Sequence, residues 1–354
     1  MSSAKIPVGL LGATGVVGQR LLSLLADHPW FEAVWLAASE RSRGLRYAEA
    51  VRWHLPAPVP AAVAELVLQD ADPAGCPARL VFSALDAGPA AEMEPRFAAA
   101  GHLVVSNASA LRMRADVPLL IPEVNPGHLA LLRQQPDYSQ PANGRRGGVV
   151  TNPNCATVGL ALALAPLERA FGVEQVFVAT MQAVSGAGYP GVASLDVLGN
   201  LIPYIPNEEQ KLETESAKIL GRLENGTIAP ATFTISAQCH RVPVLDGHTE
   251  AVSVKLRRPA AIEAVREALA SFRARPQELG LPTAPEHPLE LATAADRPQP
   301  RHDVDAGRGM AVTIGRLRPC PLLDYKFTLL SHNTLRGAAG AALLNAELIH
   351  AEGW

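Results

Sequence analysis

Short apolar runs alternate with helical patterns over the first 150 residues. Ile6 to Leu11 is an apolar run that ends at a glycine, a pattern typical of a buried parallel strand. Leucines then recur at helical spacing from Gln19 to Ala26. Similar patterns predict strands at Ala33–Ala37, Leu80–Ser83 and Leu103–Ser106 and a helix at Pro89–Ala99. Strands that alternate with helices in this way predict a doubly wound α/β fold around a parallel sheet.

The pattern changes in the second half of the chain. Gln135 to Gly148 is rich in Pro, Gly, Asn and Gln and is expected to be an exposed loop, after which Val149 to Thr151 forms a further strand. Longer apolar runs then predict an antiparallel sheet with strands at Glu174–Ala183, Ala231–Val244 and Thr249–Leu256. These strands indicate a second domain of α+β type.

Two later segments complete the predicted organisation. Pro282 to Gly309 is Pro-rich and is expected to be an ordered surface excursion, and Leu335 to His350 reads as a helix crowded with Gly and Ala. We therefore expect a Rossmann-type dinucleotide-binding domain over residues 1–153 and an α+β domain over residues 154–334. The C-terminal helix, about residues 335–354, is expected to pack back onto the first domain.

Composition narrows the class of partner. The chain has 354 residues, 48% of them hydrophobic, and a net charge of −3. A charge this near neutral gives no sign of a nucleic-acid or membrane partner, so a small molecule is expected. The four cysteines form no C-x-x-C pair and the histidines are not clustered, which argues against a metal site. With no signal-peptide pattern and no apolar stretch of about 20 residues, we expect a soluble, reduced, cytoplasmic protein.

A glycine-rich loop follows the first predicted strand and opens the first predicted helix. Missing side chains let a backbone turn sharply and approach a pyrophosphate, whose charge the helix N-terminus favours. The alternative is a tight turn that binds no ligand. The candidate cofactor contacts of this loop are Gly12, Thr14, Gly15, Val16 and Val17.

The residues after the second strand bear on the choice between NAD and NADP. An NAD enzyme usually places an acid here for the ribose 2′-hydroxyl, whereas an NADP enzyme supplies cationic and hydroxyl groups for the 2′-phosphate. Ser39, Arg41 and Ser42 suit a phosphate, although Glu40 lies among them. The sequence favours NADP, and the alternative is a solvated charged turn.

Cys155 is the candidate nucleophile. It lies where a strand gives way to a helix, with Asn154 as a natural N-cap. A thiol at a helix N-terminus is expected to have a lowered pKa because the dipole and the free N–H groups stabilise the thiolate. The alternative for a cysteine is a small buried apolar residue.

Longer motifs make a family resemblance specific. They occur in family order along nearly the whole chain: Thr151-Asn-Pro-Asn-Cys155-Ala-Thr, Gln182-Ala-Val-Ser-Gly-Ala-Gly-Tyr-Pro-Gly191, Glu208-Glu-Gln-Lys211, Arg241-Val-Pro-Val-Leu-Asp-Gly-His248 and Ser331-His-Asn-Thr. The chain resembles the aspartate-semialdehyde dehydrogenases. Two positions depart from the family pattern, with Ala156 where many members carry Ser and His240 where Asn is usual.

The resemblance implies an activity. NADPH would reduce L-aspartyl-4-phosphate to L-aspartate 4-semialdehyde through a thioester on Cys155, with release of inorganic phosphate, in the biosynthesis of lysine, threonine and methionine. The second domain would be catalytic and dimerising, in a homodimer or homotetramer. By resemblance, His248 is the base, and Gln182 orients the substrate.

The resemblance also assigns substrate and cofactor contacts. Arg241 would bind the α-carboxylate and Glu209 the ammonium of aspartate. If Asp246 and Gly247 form a two-residue hairpin, Arg241 and His248 lie on the same face of a strand pair. The phosphate site would comprise Lys211, Arg112 and Asn154, and the remaining cofactor contacts would be Ser185, Gly186 and Asn333.

Other functions share this scaffold. An N-acetylglutamyl-phosphate reductase or a malonyl-CoA reductase has a substrate with no free ammonium, and neither needs a carboxylate at Glu209. A non-catalytic paralogue would be expected to have lost Cys155, Arg241 or His248, and all three are present.

Overall fold

The computed structural model describes residues 4–140 and 144–354. The strands are β1 Ile6–Leu11, β2 Phe31–Ala37, β3 Leu80–Ser83, β4 Leu103–Ser106, β5 Gly148–Thr151, β6 Val173–Gln182, β7 Arg222–Glu224, β8 Thr227–Ala229, β9 Thr234–Arg241, β10 His248–Leu256, β11 Leu289–Leu291, β12 Val312–Pro319 and β13 Tyr325–Ser331.

The helices differ widely in length. The α-helices are α1 Val16–Leu25, α2 Tyr47–Ala50, α3 Ala61–Ala64, α4 Ala87–Ala99, α5 Pro136–Ser139, α6 Cys155–Phe171, α7 Ser194–Val197, α8 Glu208–Ile219, α9 Ile262–Ala270, α10 Arg275–Glu278, α11 Pro300–Asp303, α12 Ala306–Gly309 and α13 Gly340–Ala351. Short 3₁₀ segments occur at Glu40–Ser42, Pro73–Gly75, Pro126–Gln134 and Val184–Ala187, and a π-helical turn at Leu335–Ala339. None of the helices formed by the described residues has the length and apolar character needed to cross a membrane.

The first sheet is parallel, with strand order β2-β1-β3-β4-β5. Its strands are almost continuously apolar because both faces are covered, as the sequence pattern predicts. The turn after β1 requires glycine at position 12, where φ is +75° and a Cβ would lie 2.6 Å from the carbonyl oxygen of Ala84. This close approach brings the start of α1 to the C-terminal edge of the sheet, where doubly wound folds bind ligands.

The prediction of an exposed loop at Gln135–Gly148 is wrong in part. Gln135 and Tyr138 are buried, and Tyr138 lies in the short helix α5. The amide of Gln135 bonds both the N–H and the carbonyl of Val149, so a polar residue is buried because it pairs with a strand. Residues 141–143 of the predicted loop lie outside the described residues.

The second sheet is mixed rather than antiparallel. Its strand order is β11-β12-β13-β10-β6-β9, in which β6 pairs antiparallel with β10 but parallel with β9. Strand β11 is the edge of this sheet and pairs parallel with β12, so part of the predicted excursion at Pro282–Gly309 is a partly buried strand of the sheet. Helices α6, α8 and α9 pack on the sheet. Helix α6 is apolar on every side because it is buried along nearly its whole length.

The predicted hairpin at Asp246–Gly247 does not form. Strand β6 lies between β9 and β10, so Arg241 and His248 are not on adjacent strands. The connection crosses the end of β6, and the carbonyl oxygens of Val244 and Leu245 accept hydrogen bonds from the backbone after that strand. An Asp-Gly pair permits a two-residue hairpin, but β9 and β10 both pair with β6 instead of with each other.

The C-terminal segment belongs to the core of the first domain. Leu343, Leu344 and Leu348 of α13 share an apolar cluster with residues of β1 and α1. The preceding turn carries Arg336, whose guanidinium makes two hydrogen bonds, of 2.7 and 2.6 Å, to the carboxylate of Glu123. Both side chains are almost fully buried, at 1% and 0% exposed.

Replacement of Arg336 tests the contribution of this pair to stability. Arg336→Met leaves the carboxylate of Glu123 buried without its partner, so we expect the free energy of unfolding to fall by about 3–5 kcal/mol. The measurement is urea unfolding followed by circular dichroism. Arg46→Met is the matched control, because Arg46 pairs with Glu65 where both are more than half exposed, and should cost at most about 1 kcal/mol. If Arg336→Met and Arg46→Met lowered the free energy of unfolding equally, burial would not be the reason that the Arg336–Glu123 pair stabilises the fold.

Candidate active site

The N-terminus of α6 places Cys155 between the two domains. Strand β5 ends at Thr151, and the Oδ1 of Asn154 accepts hydrogen bonds from the N–H groups of Ala156 and Thr157, at 3.0 and 3.2 Å. The strand, the cap and the helix thus occur where the sequence predicts them. The sulfur therefore lies at a helix N-terminus beside the C-terminal edge of the first sheet.

Cys155 contacts His248 in the structure. The Sγ of Cys155 lies 3.2 Å from Nε2 of His248, the first residue of β10. The backbone N–H of Ala183 donates to Nδ1 of His248 at 3.1 Å, and the carbonyl oxygen of Ala183 accepts from Nη1 of Arg241 at 2.7 Å. One residue at the end of β6 thus positions both side chains, because β6 lies between their strands.

The hydrogen bond from Ala183 favours one resting tautomer of the imidazole. A neutral imidazole carries one ring proton, and the Nδ1 that accepts from Ala183 leaves that proton on Nε2, facing the sulfur. For Nε2 to accept the thiol proton, the ring must be in its other neutral tautomer, with the proton on Nδ1, where the backbone carbonyl of Gly247 accepts it.

Burial controls both members of the pair. Desolvation by the surrounding protein raises the pKa of the Cys155 thiol to about 12, and the carboxylate of Glu208 adds to the increase. Desolvation, with Arg241 and His332 nearby, lowers the pKa of His248 to about 3, so the ring is neutral. The expectation of a lowered thiol pKa is thus wrong for this state of the protein, because desolvation outweighs the helix N-terminus. The cations that oppose the increase are Arg112, Arg241 and Lys211.

A cleft of about 550 Å³ opens at Cys155. It collects most of the residues that the sequence assigns to substrate and cofactor, namely Val16, Val17, Arg112, Asn154, Ser185, Gly186, Lys211, Arg241 and Asn333. It also contains residues to which the sequence analysis gave no role, namely Asn107, Ser109, Glu208, Thr334 and Gly337. Three cations and two carboxylates, those of Glu208 and of the exposed Asp86, line the cleft with the thiol and suit an anionic acyl substrate that also carries a positive charge.

Glu208, rather than Glu209, is the glutamate that lines the cleft. Glu208 accepts hydrogen bonds from Nδ2 of Asn154 at 2.7 Å and from Nζ of Lys211 at 3.3 Å. Glu209 lies outside the cleft, where its Oε1 accepts from the backbone N–H of Cys239. The assignment of Glu209 to the substrate ammonium is therefore corrected.

Helical periodicity could have found Glu208. In a helix that begins at residue 208, Glu208 aligns with the apolar Leu212 and Ile219 on one face, and Glu209 lies about 100° around the axis. The apolar face packs on the protein, so a carboxylate in line with it is held at the interface. The sequence does not show which end of that face meets the cleft.

Arg112 is tied to the start of α6 through Glu215. Its Nη1 donates to Oε1 of Glu215 at 3.0 Å, and Oε2 of the same carboxylate accepts from the backbone N–H of Asn154 at 2.6 Å. Nη2 of Arg112 donates to the carbonyl of Asn107. The guanidinium therefore has a fixed position relative to Cys155.

Gln182 lies at the end of β6 but not on the wall of the cleft. The residue is almost fully buried, and its amide donates to Oγ1 of Thr180 at 3.3 Å. Its proposed contact with substrate stays a prediction.

Two glycines of the site make room for side chains of the protein. A Cβ at Gly186 would lie 2.8 Å from Nη1 of Arg241 and 3.0 Å from Cε1 of His248. A Cβ at Gly337 would lie 2.7 Å from Cβ of Cys155. The sequence suggested that Gly186 admits a cofactor, whereas the structure gives it a packing requirement as well.

Ser185 and Asn333 line the cleft and are hydrogen-bonded to each other. Nδ2 of Asn333 donates to Oγ of Ser185, and its Oδ1 accepts from the N–H of Gly247, both at 2.8 Å. Asn333 thereby links the turn before His248 to the loop after β6.

The glycine loop and the residues after β2 lie at one edge of the first sheet. Gly12 and Ala13 both donate backbone hydrogen bonds to the carbonyl oxygen of Ala37, the last residue of β2. Ser39 and Arg41 follow in an exposed 3₁₀ turn that ends at Ser42. Gly15 is the N-cap of α1, and no side chain accepts a hydrogen bond from the first N–H groups of this helix. These N–H groups can therefore donate to a bound anion.

The fold and the site define a class of two-domain enzymes in which a dinucleotide-binding domain meets a domain that carries a cysteine–histidine pair. Family models agree with this division: one described as the NAD binding domain of semialdehyde dehydrogenase matches residues 7–132, and one described as the dimerisation domain matches residues 164–336. The chain belongs to the aspartate-semialdehyde dehydrogenase family.

Individual relatives support the assignment over the full length. The chain is 50% identical to aspartate-semialdehyde dehydrogenase of Methanothermobacter thermautotrophicus over 98% of this chain and 99% of that protein. The crystal structure of the Candida albicans enzyme with NADP has a TM-score of 0.91 and 40% identity, over 98% of this chain and 99% of that one. Aspartate semialdehyde dehydrogenase II of Vibrio cholerae, complexed with ASA, has a TM-score of 0.78 and 27% identity, over 99% and 100%.

Alkylation of Cys155 tests the electrostatics of the cleft. Glu208→Gln removes the negative charge that helps to raise the thiol pKa, so a pKa lower by about one unit should give about tenfold faster alkylation at pH 8. The rate is measured with iodoacetamide and peptide mass spectrometry. Glu209→Gln is the matched control and should leave the rate unchanged. Equal rates in wild type and Glu208→Gln would contradict the influence of Glu208.

Proposed function

We propose that the protein reduces L-aspartyl-4-phosphate to L-aspartate 4-semialdehyde with NADPH, through a thioester on Cys155. The observation that carries this proposal is the cleft, in which a cysteine–histidine contact is surrounded by Arg112, Lys211 and Arg241 together with the carboxylate of Glu208. The same enzyme would run in reverse as a phosphate-dependent oxidation of the semialdehyde, and its place is the biosynthesis of amino acids, including lysine, threonine and methionine.

Each charge that acts on the pKa of Cys155 has a counterpart in this substrate. A guanidinium such as that of Arg241 pairs with a carboxylate in a planar fork, which suits the α-carboxylate. Glu208 offers a carboxylate to the α-ammonium, and Arg112, Lys211 and Asn154 surround the phosphate. Malonyl-CoA and N-acetylglutamyl phosphate have no ammonium, so the presence of Glu208 inside the cleft favours the aspartyl substrate.

The chemistry follows from the Cys155–His248 contact. His248 takes the thiol proton as the sulfur attacks the carbonyl carbon, the S–C bond forms, and the C–O bond to phosphate breaks. NADPH, when bound, supplies the hydride that reduces the thioester. His248 then protonates the resulting oxygen and takes this proton back as the C–S bond breaks and the aldehyde is released. The imidazolium finally returns the proton to the thiolate, which restores the thiol and the neutral ring. Because burial keeps the imidazole neutral at rest, the tautomer with its ring proton on Nδ1 accepts the thiol proton at Nε2 and becomes an imidazolium.

The cofactor fits the first domain. The uncapped start of α1 and the close turn at Gly12 suit the pyrophosphate, and Val16 and Val17 line the cleft next to Cys155. Ser39, Arg41 and Ser42 would receive the 2′-phosphate of NADP. Ser185, Gly186 and Asn333 would hold the nicotinamide end, since they line the same cleft as these valines.

We further propose a cytoplasmic homodimer or a homotetramer built from such dimers. The four cysteines are free, in keeping with a reducing compartment. Alternate residues of β9 and the aromatic ring of Phe177 on β6 are exposed on the face of the second sheet that α6 does not cover. This face would be the dimer interface, which a sedimentation measurement with a Phe177→Lys variant tests.

The direct test is an assay of the reverse reaction. We expect the purified protein to reduce NADP in the presence of L-aspartate 4-semialdehyde, with a rate that depends on inorganic phosphate. Cys155→Ser should abolish turnover and the covalent acyl intermediate while NADP still binds. A folded wild-type protein that gives no phosphate-dependent NADPH would refute the proposed function.

The ammonium contact decides the substrate class. Removing one partner of a desolvated charge pair costs about 2–5 kcal/mol, so Glu208→Gln should lower kcat/KM for the semialdehyde by roughly 30-fold or more. The kcat/KM of Glu208→Gln for an analogue without the amino group should fall far less. If both substrates lose equally, Glu208 does not bind the ammonium, and a wild type that favours the amino-free analogue would indicate a malonyl-CoA reductase.

Cofactor preference depends on Arg41. We expect a higher kcat/KM with NADP than with NAD, and Arg41→Ala should narrow this ratio because it removes a charged hydrogen bond worth about 1.5–3 kcal/mol. Arg43→Ala is the matched control, because Arg43 is exposed two residues away and pairs with Asp70 at 3.0 Å. A ratio unchanged by Arg41→Ala, or changed equally by both, would rule out the proposed role.

A further inference from the structure

Helix α8 presents charged side chains at two levels. Glu208 and Lys211 lie at the cleft, and Glu215 and Lys218 follow them two helical turns later, where both are buried. Seven residues correspond to about two turns, so the second pair lies beneath the first. Glu215 bonds Arg112, but neither the resemblance nor the proposed chemistry gives Lys218 a role.

Lys218 uses all its donors on one loop. Its Nζ donates to the carbonyl oxygens of Arg112, Arg114 and Val117, at 2.6, 2.7 and 2.8 Å. An ammonium group has three N–H donors, so each one is satisfied. The side chain is almost fully buried, and a buried cation is retained where its partners compensate for desolvation.

The loop that Lys218 holds is the one that carries Arg112. Residues 107–118, all of them described, form turns rather than a helix or a strand, so no ladder of backbone hydrogen bonds fixes their path. The carbonyls of Arg112, Arg114 and Val117 point inward to a single ammonium group. The position of the Arg112 backbone, and hence of the guanidinium beside Cys155, therefore depends on this contact.

We propose that Lys218 is a positioning residue for the phosphate step: it holds the 112–117 loop so that Arg112 meets the phosphate next to Cys155. The proposal rests on the proposed function, because it assumes that Arg112 binds phosphate. Lys218 does not reach the cleft itself, so the step that forms the acyl enzyme from the aldehyde does not require it. Its loss should affect phosphate far more than aldehyde or NADP.

The protonation of Lys218 offers a second readout. Burial lowers its pKa to about 8, while Asp116 and Glu215 act in the opposite direction. A neutral amine retains two N–H donors for three carbonyls, so the loop should loosen as the pH rises through this value. The other charged groups around Lys218 are Arg112 and Arg114 on the loop and His128, whose pKa burial lowers to about 4, so it stays neutral at this pH.

Lys218→Met tests the proposal in the phosphate-dependent oxidation of the semialdehyde. We expect the KM for phosphate to rise by about tenfold to a hundredfold, the scale of effect that displacement of a binding group produces. The KM values for NADP and semialdehyde, and the rate of the NADPH burst in phosphate-free buffer, should stay within about twofold. Lys218→Gln, which retains two N–H donors, should give an intermediate KM for phosphate.

Two comparisons separate positioning from general stability. Arg169→Met is the matched control, because Arg169 also donates to backbone carbonyls, those of Glu123 and Val124, but on another loop. It should leave the KM for phosphate unchanged. In an Arg112→Ala background, Lys218→Met should add no further increase, since two residues that act through one contact are not additive.

The pH profile of the wild type needs no variant. Its KM for phosphate should rise between pH 7.5 and 9.5, and the profile of Lys218→Gln should be flatter over this range. The role of Lys218 alone would be overturned if Lys218→Met left the KM for phosphate unchanged. It would also be overturned if the variant raised this KM by no larger a factor than it slowed the NADPH burst. Absence of phosphate-dependent activity in the wild type would overturn the proposed function and this role together.

Discussion

The hydrogen bonds of Asn154 hold the nucleophile and the two domains in one arrangement. Its side-chain oxygen caps α6, its side-chain nitrogen donates to Glu208, and its backbone N–H donates to Glu215. The residue thereby connects the end of the first sheet to both α6 and α8. Cys155 follows directly, so the position of the sulfur depends on contacts that the preceding residue makes.

Buried charge shapes the reactivity of the site. Desolvation and the carboxylate of Glu208 keep the thiol protonated, although three cations lie in the same cleft. An anionic acyl phosphate brings its own charge to those cations, and its ammonium would neutralise Glu208. Each charge that shifts the thiol pKa would thus have a partner in the bound substrate, while desolvation of the sulfur would remain.

The C-terminal segment contributes to the site from the first domain. Gly337 packs against Cys155, and the neighbouring Arg336 pairs with Glu123 in the interior. Helix α13 continues from this turn into the apolar core that contains β1 and α1. The same segment therefore stabilises the dinucleotide-binding domain and leaves the space that the nucleophile occupies.

Local chemistry explains what the sequence determined by itself. Apolar runs of strand length specify the parallel sheet, because both faces of such a sheet are buried, and the need for a positive φ specifies Gly12. The strand, the cap and the helix around Cys155 depend on neighbouring residues, so their pattern predicts them. The family motifs then identify His248, Arg241, Lys211 and Arg112, three of which line the cleft while His248 contacts the sulfur.

Tertiary packing decided the rest. The insertion of β6 between β9 and β10 replaced the expected hairpin, because strand pairing over the whole sheet outweighs a two-residue turn signal. The choice of Glu208 over Glu209 depends on which face of α8 packs against the second sheet, and the raised pKa of Cys155 depends on how completely the domains surround it. The desolvation of a side chain and the orientation of a helix both depend on contacts with residues distant in the chain. No local sequence pattern therefore specifies them.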